Sequence, residues 1–343
     1  MNQIEIEALR EGNSRHKGLI KKFALIGLAA VIFIIFLVKI IPSASWDVST
    51  ASYDNVKFNV SSNSATNRNG NTRDLFFSDN GTKMYIIDNG GATPGDRVYQ
   101  YSLSTAWDLS TASYDNVNFS VNTQETASQA MFINSTGTKM YVVGSIADRV
   151  FQYSLSQAWN VSSASYDNVN LSILSQEGDT LGLFFKSDGT KMYLVGSTND
   201  TVFQYSLTQA WNLSTASYDN VNFSIITQEN GPTGLFFRQD GTKMYLVGVT
   251  NDTVYRYSLS SAWDLSTASY DNVNFSVASQ GGNFQGLFFN STGTKMYMLD
   301  RASTFNSTVY QYSMTNIFPN WSNNYTNGTV AGSTINHSVN WTD

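Results

Sequence analysis

Asp88 and Asp300 are the residues whose type and placement first suggest chemistry. Both follow a Met-Tyr string, at the place where three related strings end in Gly144, Gly196 and Gly248. The segments behind them are longer than in the other copies and contain Asp96, Arg97 and Arg301. Carboxylates and guanidinium groups gathered in this way could accept hydrogen bonds or a cation, and could pair with an anionic ligand. The opposing reading is that these two copies have simply drifted. A second set of acids recurs with the repeat: Asp148, Asp200 and Asp252, and Glu125, Glu177 and Glu229. A ring of calcium sites is conceivable from them, since hard cations take several carboxylate and carbonyl oxygens. No dense Asp-x-Asp-x-Asp-Gly loop accompanies them, so hydrogen bonding within turns is the expected role and no metal site is expected.

Other chemistries lack their residues. Histidine occurs only at His16 and His337, so a Ser-His-Asp triad or a histidine-held metal has no base or ligand in the body of the chain. Cysteine is absent, which removes thiol catalysis and cysteine-ligated zinc. There is no phosphate loop and no dinucleotide fingerprint, and no cofactor is expected. Carboxylate-only hydrolysis stays open as the alternative, because paired acids can cleave glycosides. The net charge is −6, and the basic residues concentrate before residue 42: six Lys/Arg against three Glu there. An acidic body makes a poor partner for nucleic acid, whose affinity rests on neutralised phosphates.

What positions these residues is a repeat. Gly-Thr-Lys-Met-Tyr begins at Gly81, Gly137, Gly189, Gly241 and Gly293. A Trp-containing string ending in Ala-Ser-Tyr-Asp-Asn begins at Trp46, Trp107, Trp159, Trp211 and Trp263. From the second copy on, both return every 52 residues. One unit reads as four strands: 181–185, a Ser-Asp-Gly-Thr turn, 191–195, 201–207, then the Trp connection and 219–225. Alternation, aromatic and β-branched residues and Gly/Asp/Asn punctuation all fit strands. Four antiparallel strands per unit make a propeller blade. Five a-b-c sets exist, but one d strand (54–60) precedes them all and none follows the last c strand (308–313). The fold class expected is therefore all-β: a five-bladed β-propeller over 54–313, closed by its N-terminal d strand. The five Trp and the Tyr-Asp-Asn copies read as structural, and stripes such as Phe184/Phe185 as core between blades.

Phe185 to Gly196 and Phe237 to Gly248 resemble the YVTN/lactonase-like propeller repeats, in which an Asp-Gly turn joins strands a and b ahead of an aromatic-rich Tyr-Val strand. The resemblance spans about Trp46 to Ser313. It implies a blade, in a superfamily that mixes enzymes, binders and surface proteins. This chain departs from it in having five units instead of seven and a long Trp-containing c–d connection.

Phe23 to Ile41 reads as a single transmembrane helix: ~28 Å at 1.5 Å per residue, against a hydrocarbon core of ~30 Å. The positive-inside bias puts residues 1–22 in the cytoplasm and, beyond a linker over 42–53, the propeller outside the cell. A cleaved signal peptide with Ser43-Ala44-Ser45 as its site is the other reading, and it exports the body equally. Eighteen Asn-x-Ser/Thr acceptors lie between Asn59 and Asn340 and none before the membrane segment, a pattern suited to an exported glycoprotein surface. The Asn/Thr-rich tail over 314–343 resembles, near its end, the opening strand of an immunoglobulin-like repeat of archaeal surface proteins. If 54–60 is strand d, the c–d side faces the membrane and the b–c and d–a loops face outward, where Asp88 and Asp300 should meet. The function expected is a membrane-anchored, non-catalytic recognition, adhesion or cell-envelope module with a glycan or protein ligand at the cell surface. An exported lactonase- or glycosidase-like hydrolase is the alternative.

Overall fold

The computed structural model describes residues 45–60, 71–90, 95–301 and 307–314. The segment Phe23 to Ile41 and the tail beyond Met314 lie outside the described residues. Among the described residues no helix is long and apolar enough to cross a membrane.

Among the described residues twenty strands form five antiparallel four-stranded sheets. Strand β1 is Ala51–Asn59, and blade 1 is β2 (Thr72–Phe77), β3 (Lys83–Asp88), β4 (Arg97–Leu103) and β5 (Ala112–Ser120). Blade 2 is β6 (Ser128–Ile133), β7 (Lys139–Gly144), β8 (Arg149–Leu155) and β9 (Ala164–Ser172). Blade 3 is β10 (Thr180–Phe185), β11 (Lys191–Gly196), β12 (Thr201–Leu207) and β13 (Ala216–Ser224). Blade 4 is β14 (Pro232–Phe237), β15 (Lys243–Gly248), β16 (Thr253–Leu259) and β17 (Ala268–Ser276). Blade 5 takes β18 (Phe284–Phe289), β19 (Lys295–Asp300) and β20 (Thr308–Met314) from the end of the repeat and β1 from its beginning. The innermost strands β2, β6, β10, β14 and β18 stand side by side around the axis and close the ring.

Each repeated string has a physical reason. The glycine opening Gly-Thr-Lys-Met-Tyr has φ of 67–74°, and a Cβ there would lie 2.3–2.5 Å from the indole of its own blade. Only glycine satisfies both demands. The tryptophan over it is itself left-handed, at φ 64–79°, a rare state for a bulky residue. Its N–H donates to the glycine carbonyl at 2.8–3.1 Å. Its own carbonyl is thereby turned outward and accepts the tyrosine hydroxyl of the preceding blade: Tyr85 to Trp159, Tyr141 to Trp211, Tyr193 to Trp263, Tyr245 to Trp46 and Tyr297 to Trp107, at 2.5–2.7 Å. Five identical latches run around the disc.

The lysine of the string pairs with the aspartate of Tyr-Asp-Asn on strand d, as in Lys83–Asp115 at 2.8 Å and Lys295–Asp54 at 2.6 Å. The following asparagine sits at φ 56–58°, where the register slips in a bulge, as between Tyr53 and Val56. Asparagine tolerates that conformation better than most residues. A strand-c glutamine then joins blades: Gln100 donates to Asp115 at 2.8 Å and accepts from Val161 N–H at 3.1 Å. Blade 4 has Arg256 in its place, which donates to Asp271 at 2.9 Å and to Asp47 of blade 5 at 3.0 Å.

Closure follows the expected plan, with one correction. β1 pairs with β20, Tyr53 opposite Tyr312, and Asp54 receives Lys295 and Gln311. Residues 46–53, read from sequence as linker, belong to the blade. Trp46 docks on Gly293, and Asp47 caps the 3-10 turn Val48–Thr50 by accepting from Ser49 N–H at 3.1 Å. Tyr245→Phe strips a buried carbonyl of its donor and is expected to lower stability by about 1–3 kcal/mol. Tyr193→Phe should do the same, because the closing seam is built like an internal one. Unequal losses in urea denaturation would show that the last latch is a different joint.

Candidate functional site

The axial channel is blocked by a ring of phenylalanines. Phe76, Phe132, Phe184, Phe236 and Phe288 hold the same position on the five innermost strands, each edge-to-face with the next at 5.2–5.5 Å between centroids. Such tilted contacts suit the ring quadrupole. Beneath the ring, on the side of the a–b turns, opens a cavity of about 90 Å³ with Trp107, Trp211 and Trp263 in its wall. Asp79, Ser135, Ser187, Gln239 and Ser291 form its rim. That volume is room for roughly half a dozen waters, or one small ring. Trp107, Trp211 and Trp263 lie nearly parallel to Phe288, Phe132 and Phe184, at 19–20°. Both phenylalanines of the pair pack between blades, as expected: Phe185 against Tyr141 of blade 2, and Phe184 against Phe237 and Trp263 of blade 4, with Phe184 also a member of the ring.

Above the ring the wall is uneven. Ala130, Gly182, Gly234 and Gly286 occupy one position of the innermost strands, and blade 1 has Asp74 there. A Cβ on Gly286 would come within 2.9 Å of the Asp74 carboxylate, so the missing side chain of blade 5 makes room for it. Asp74 accepts from Leu75 N–H at 2.8 Å and from Met131 N–H at 3.1 Å, across the seam to β6. Desolvation outweighs these two bonds and pushes its carboxyl up to about 8. Beside it, burial and the nearby Arg301 bring the Arg73 guanidinium down to about 10.

Four of the five residues singled out from sequence hydrogen-bond to neighbours of their own, and the fifth, Arg301, stands near another cation. Asp88 accepts from Arg97 N–H at 3.1 Å within blade 1. Arg97 donates to Asn118 on β5 at 2.6 Å. Asp96 reaches blade 2 and accepts from Ser128 N–H. Arg301 lies near Arg73. Asp300 accepts from Asn283 N–H at 3.1 Å, and burial raises its carboxyl.

The repeated glutamates explain Asp300. Glu229, 1% exposed, accepts from Gly231, Thr250 and Asn251 N–H at 3.0–3.2 Å and so ties the d–a turn to the b–c loop. Glu125 and Glu177 do the same in their blades. Each fills the space over Gly144, Gly196 or Gly248, where a Cβ would lie 2.3–2.5 Å from its neighbours. In blade 5 the pair is exchanged. Gly281 stands in place of the glutamate, and Asp300, in place of the glycine, sits 2.5 Å from where a Gly281 Cβ would be. The carboxylate is supplied from the other side of the same gap. Sequence reasoning saw Asp300 as odd and missed its partner Gly281. It also missed Asp74 and the phenylalanine ring, for which aligning the columns of the repeat was the available signal.

No family model matches the chain, and no curated protein matches it. Among solved structures, a protein of unknown function from Desulfotomaculum acetoxidans is 14% identical with a TM-score of 0.44, over 68% of this chain and 66% of that one. A Bacteroides fragilis protein, provisionally described as a 6-phosphogluconolactonase, is 11% identical at 0.41, over 60% and 55%. A Lactobacillus plantarum protein is 12% identical at 0.45, over 67% and 77%. The chain thus spans under two thirds of the first two neighbours, and no activity carries across at this distance.

Two outcomes check this geometry. Gly248→Asp and Glu229→Gly should each destabilise the protein, while the double variant recovers about 1–3 kcal/mol of the summed loss; simple additivity in denaturation would refute the exchange. Asp74 has its folded-state pKa raised from the ordinary 3.8 to about 8. Its contribution is therefore present at acid pH and lost as pH rises through that window. The stability of the wild type relative to Asp74→Asn should fall between about pH 4 and pH 8, and parallel pH profiles would contradict it.

Proposed function

We propose that this propeller is a non-catalytic binding module of the cell envelope, taking a small neutral ligand, such as the terminal ring of a glycan, in the aromatic bowl below the phenylalanine ring. The observation that carries the reading is the bowl's lining: aromatic faces with short polar side chains at the rim and Asp79 as its one ionisable group. Small-molecule sites are concave and mainly apolar, with a few converging polar groups. Both ends of the described propeller leave on this face, at Trp46 beside Gly293 and at Met314 beside Thr294. A tether over Phe23 to Ile41 would turn the bowl toward the envelope it projects from, with the propeller outside the cell and the N-terminus in the cytoplasm. A surface glycan, or a protein that carries one, is then the partner.

One observation favours the hydrolase reading. Asp74, on the innermost strand of blade 1, has a carboxyl that burial holds largely protonated at neutral pH, the state required of a general acid.

A glycan array, run beside a panel of esters, lactones and glycosides, separates the two. For a binder, Ser187→Trp or Ser291→Trp fills the bowl and should weaken glycan binding at least about tenfold. Asp88→Asn with Asp300→Asn should leave binding unchanged. Loss of binding in that pair alone would move the ligand to the opposite face, and turnover abolished by Asp74→Asn would establish the enzyme.

A further inference from the structure

On the face opposite the bowl, three aspartates introduce strand c: Asp148, Asp200 and Asp252, at φ 45–48°. In each, Oδ1 is buried and has no hydrogen-bond donor among the described residues. Asp200 as a whole is 9% exposed. Carboxylate oxygens out of water are ordinarily hydrogen-bonded or paired. In the blade 1 counterpart, Asp96, Oδ1 is equally bare, while Oδ2 accepts from Ser128 N–H across its seam.

At two seams a second carboxylate adds to the imbalance. Desolvation raises both carboxyls, and so do neighbouring charges: Glu177 and Glu229 at Asp200, Asp300 and Glu229 at Asp252. Asp252 and Asp300 flank one diglycine. The Asp300 Cγ is 2.5 Å from the place of a Gly281 Cβ, and Asp252 Oδ2 is 3.9 Å from that of Gly282. Strand c begins with Arg97 and Arg149 in blades 1 and 2, which brings positive charge to that edge. Blades 3 and 4 begin it with Thr201 and Thr253.

We propose that the seam between blades 3 and 4 and the seam between blades 4 and 5 each bind one hard divalent cation, held by Asp200 with Glu229 and by Asp252 with Asp300. The inference is independent of what the bowl binds. Among the described residues no three acidic or histidine side chains converge on one point. Each ion therefore keeps part of its water shell, as Mg²⁺ does with one or two carboxylates and as weakly held Ca²⁺ can. The cation supplies the positive charge that arginine brings to the first two blades, and it joins consecutive blades on the face the tryptophan latches do not reach.

The test uses the full chain freed of metal by chelation, then titrated with Ca²⁺, Mg²⁺ and Tb³⁺. Tyr255 lies in the field of Glu229 and Tyr310 in that of Asp300, so tyrosine-sensitised terbium luminescence is the readout. Two ions should bind saturably, one in Asp200→Asn or Asp252→Asn and none in the double variant. Ca²⁺ should raise the Tm of the wild type and leave that of the double variant unmoved. If the asparagine variants fold poorly, serine replacements, the residue blade 5 has before its strand c at Ser307, serve the same comparison. Absence of saturable binding, binding that survives in the double variant, or a crystal grown with Ca²⁺ that shows only water at both seams overturns the proposal.

Discussion

The disc depends on a backbone carbonyl aimed in an unusual direction. A left-handed tryptophan turns its C=O toward the neighbouring blade, and a buried tyrosine hydroxyl meets it. Three conditions have to hold together. The residue beneath the indole must be glycine, the tryptophan N–H must be held by that glycine's carbonyl, and the tyrosine must come from the preceding sheet. Burial pushes these phenols above their ordinary pKa, so they stay protonated donors. No latch is complete within one blade, and each blade both gives one and receives one. Five seams share one chemistry, and the ring has no weakest joint by design except where Arg256 replaces glutamine.

That interdependence is why the fold was legible from sequence while the sites were not. Gly-Thr-Lys-Met-Tyr and Tyr-Asp-Asn recur because each residue answers a separate steric or hydrogen-bonding demand, and periodic demands leave periodic strings. The leading d strand could be placed by counting, since Asp54 carries the same ion-pair chemistry as Asp115. The start of that strand was misplaced, because Trp46 and Asp47 look like a linker until the glycine they dock on, nearly 250 residues away in sequence, is brought beside them.

Sites are built from departures, and a departure has two explanations that look alike in one dimension. Asp300 looked like a grafted functional group. Next to Gly281 it is half of an exchange that keeps one carboxylate in one gap. Asp74 shows the converse: an acid in a column of alanine and glycine, tolerated because Gly286 leaves room. Each needs its partner from the adjoining blade to be read correctly, and such pairs are dispersed along the chain. The phenylalanine ring escaped notice for another reason. Phe-Phe pairs are equally good as core, and only the axial geometry shows which of the two rings turns inward.

Pairing β1 with β20 also has a consequence for how the molecule comes into being. Of the described strands, the first to be made is the last to find its partner, because β20 ends some 250 residues later. At about 5–20 residues per second, it waits on the order of tens of seconds with an open edge. Lys57 and the bulge at Asn55 are features that discourage wrong pairing during such a delay. The same delay keeps the ring open until the whole repeat has been made, so the disc cannot shut around an incomplete set of blades.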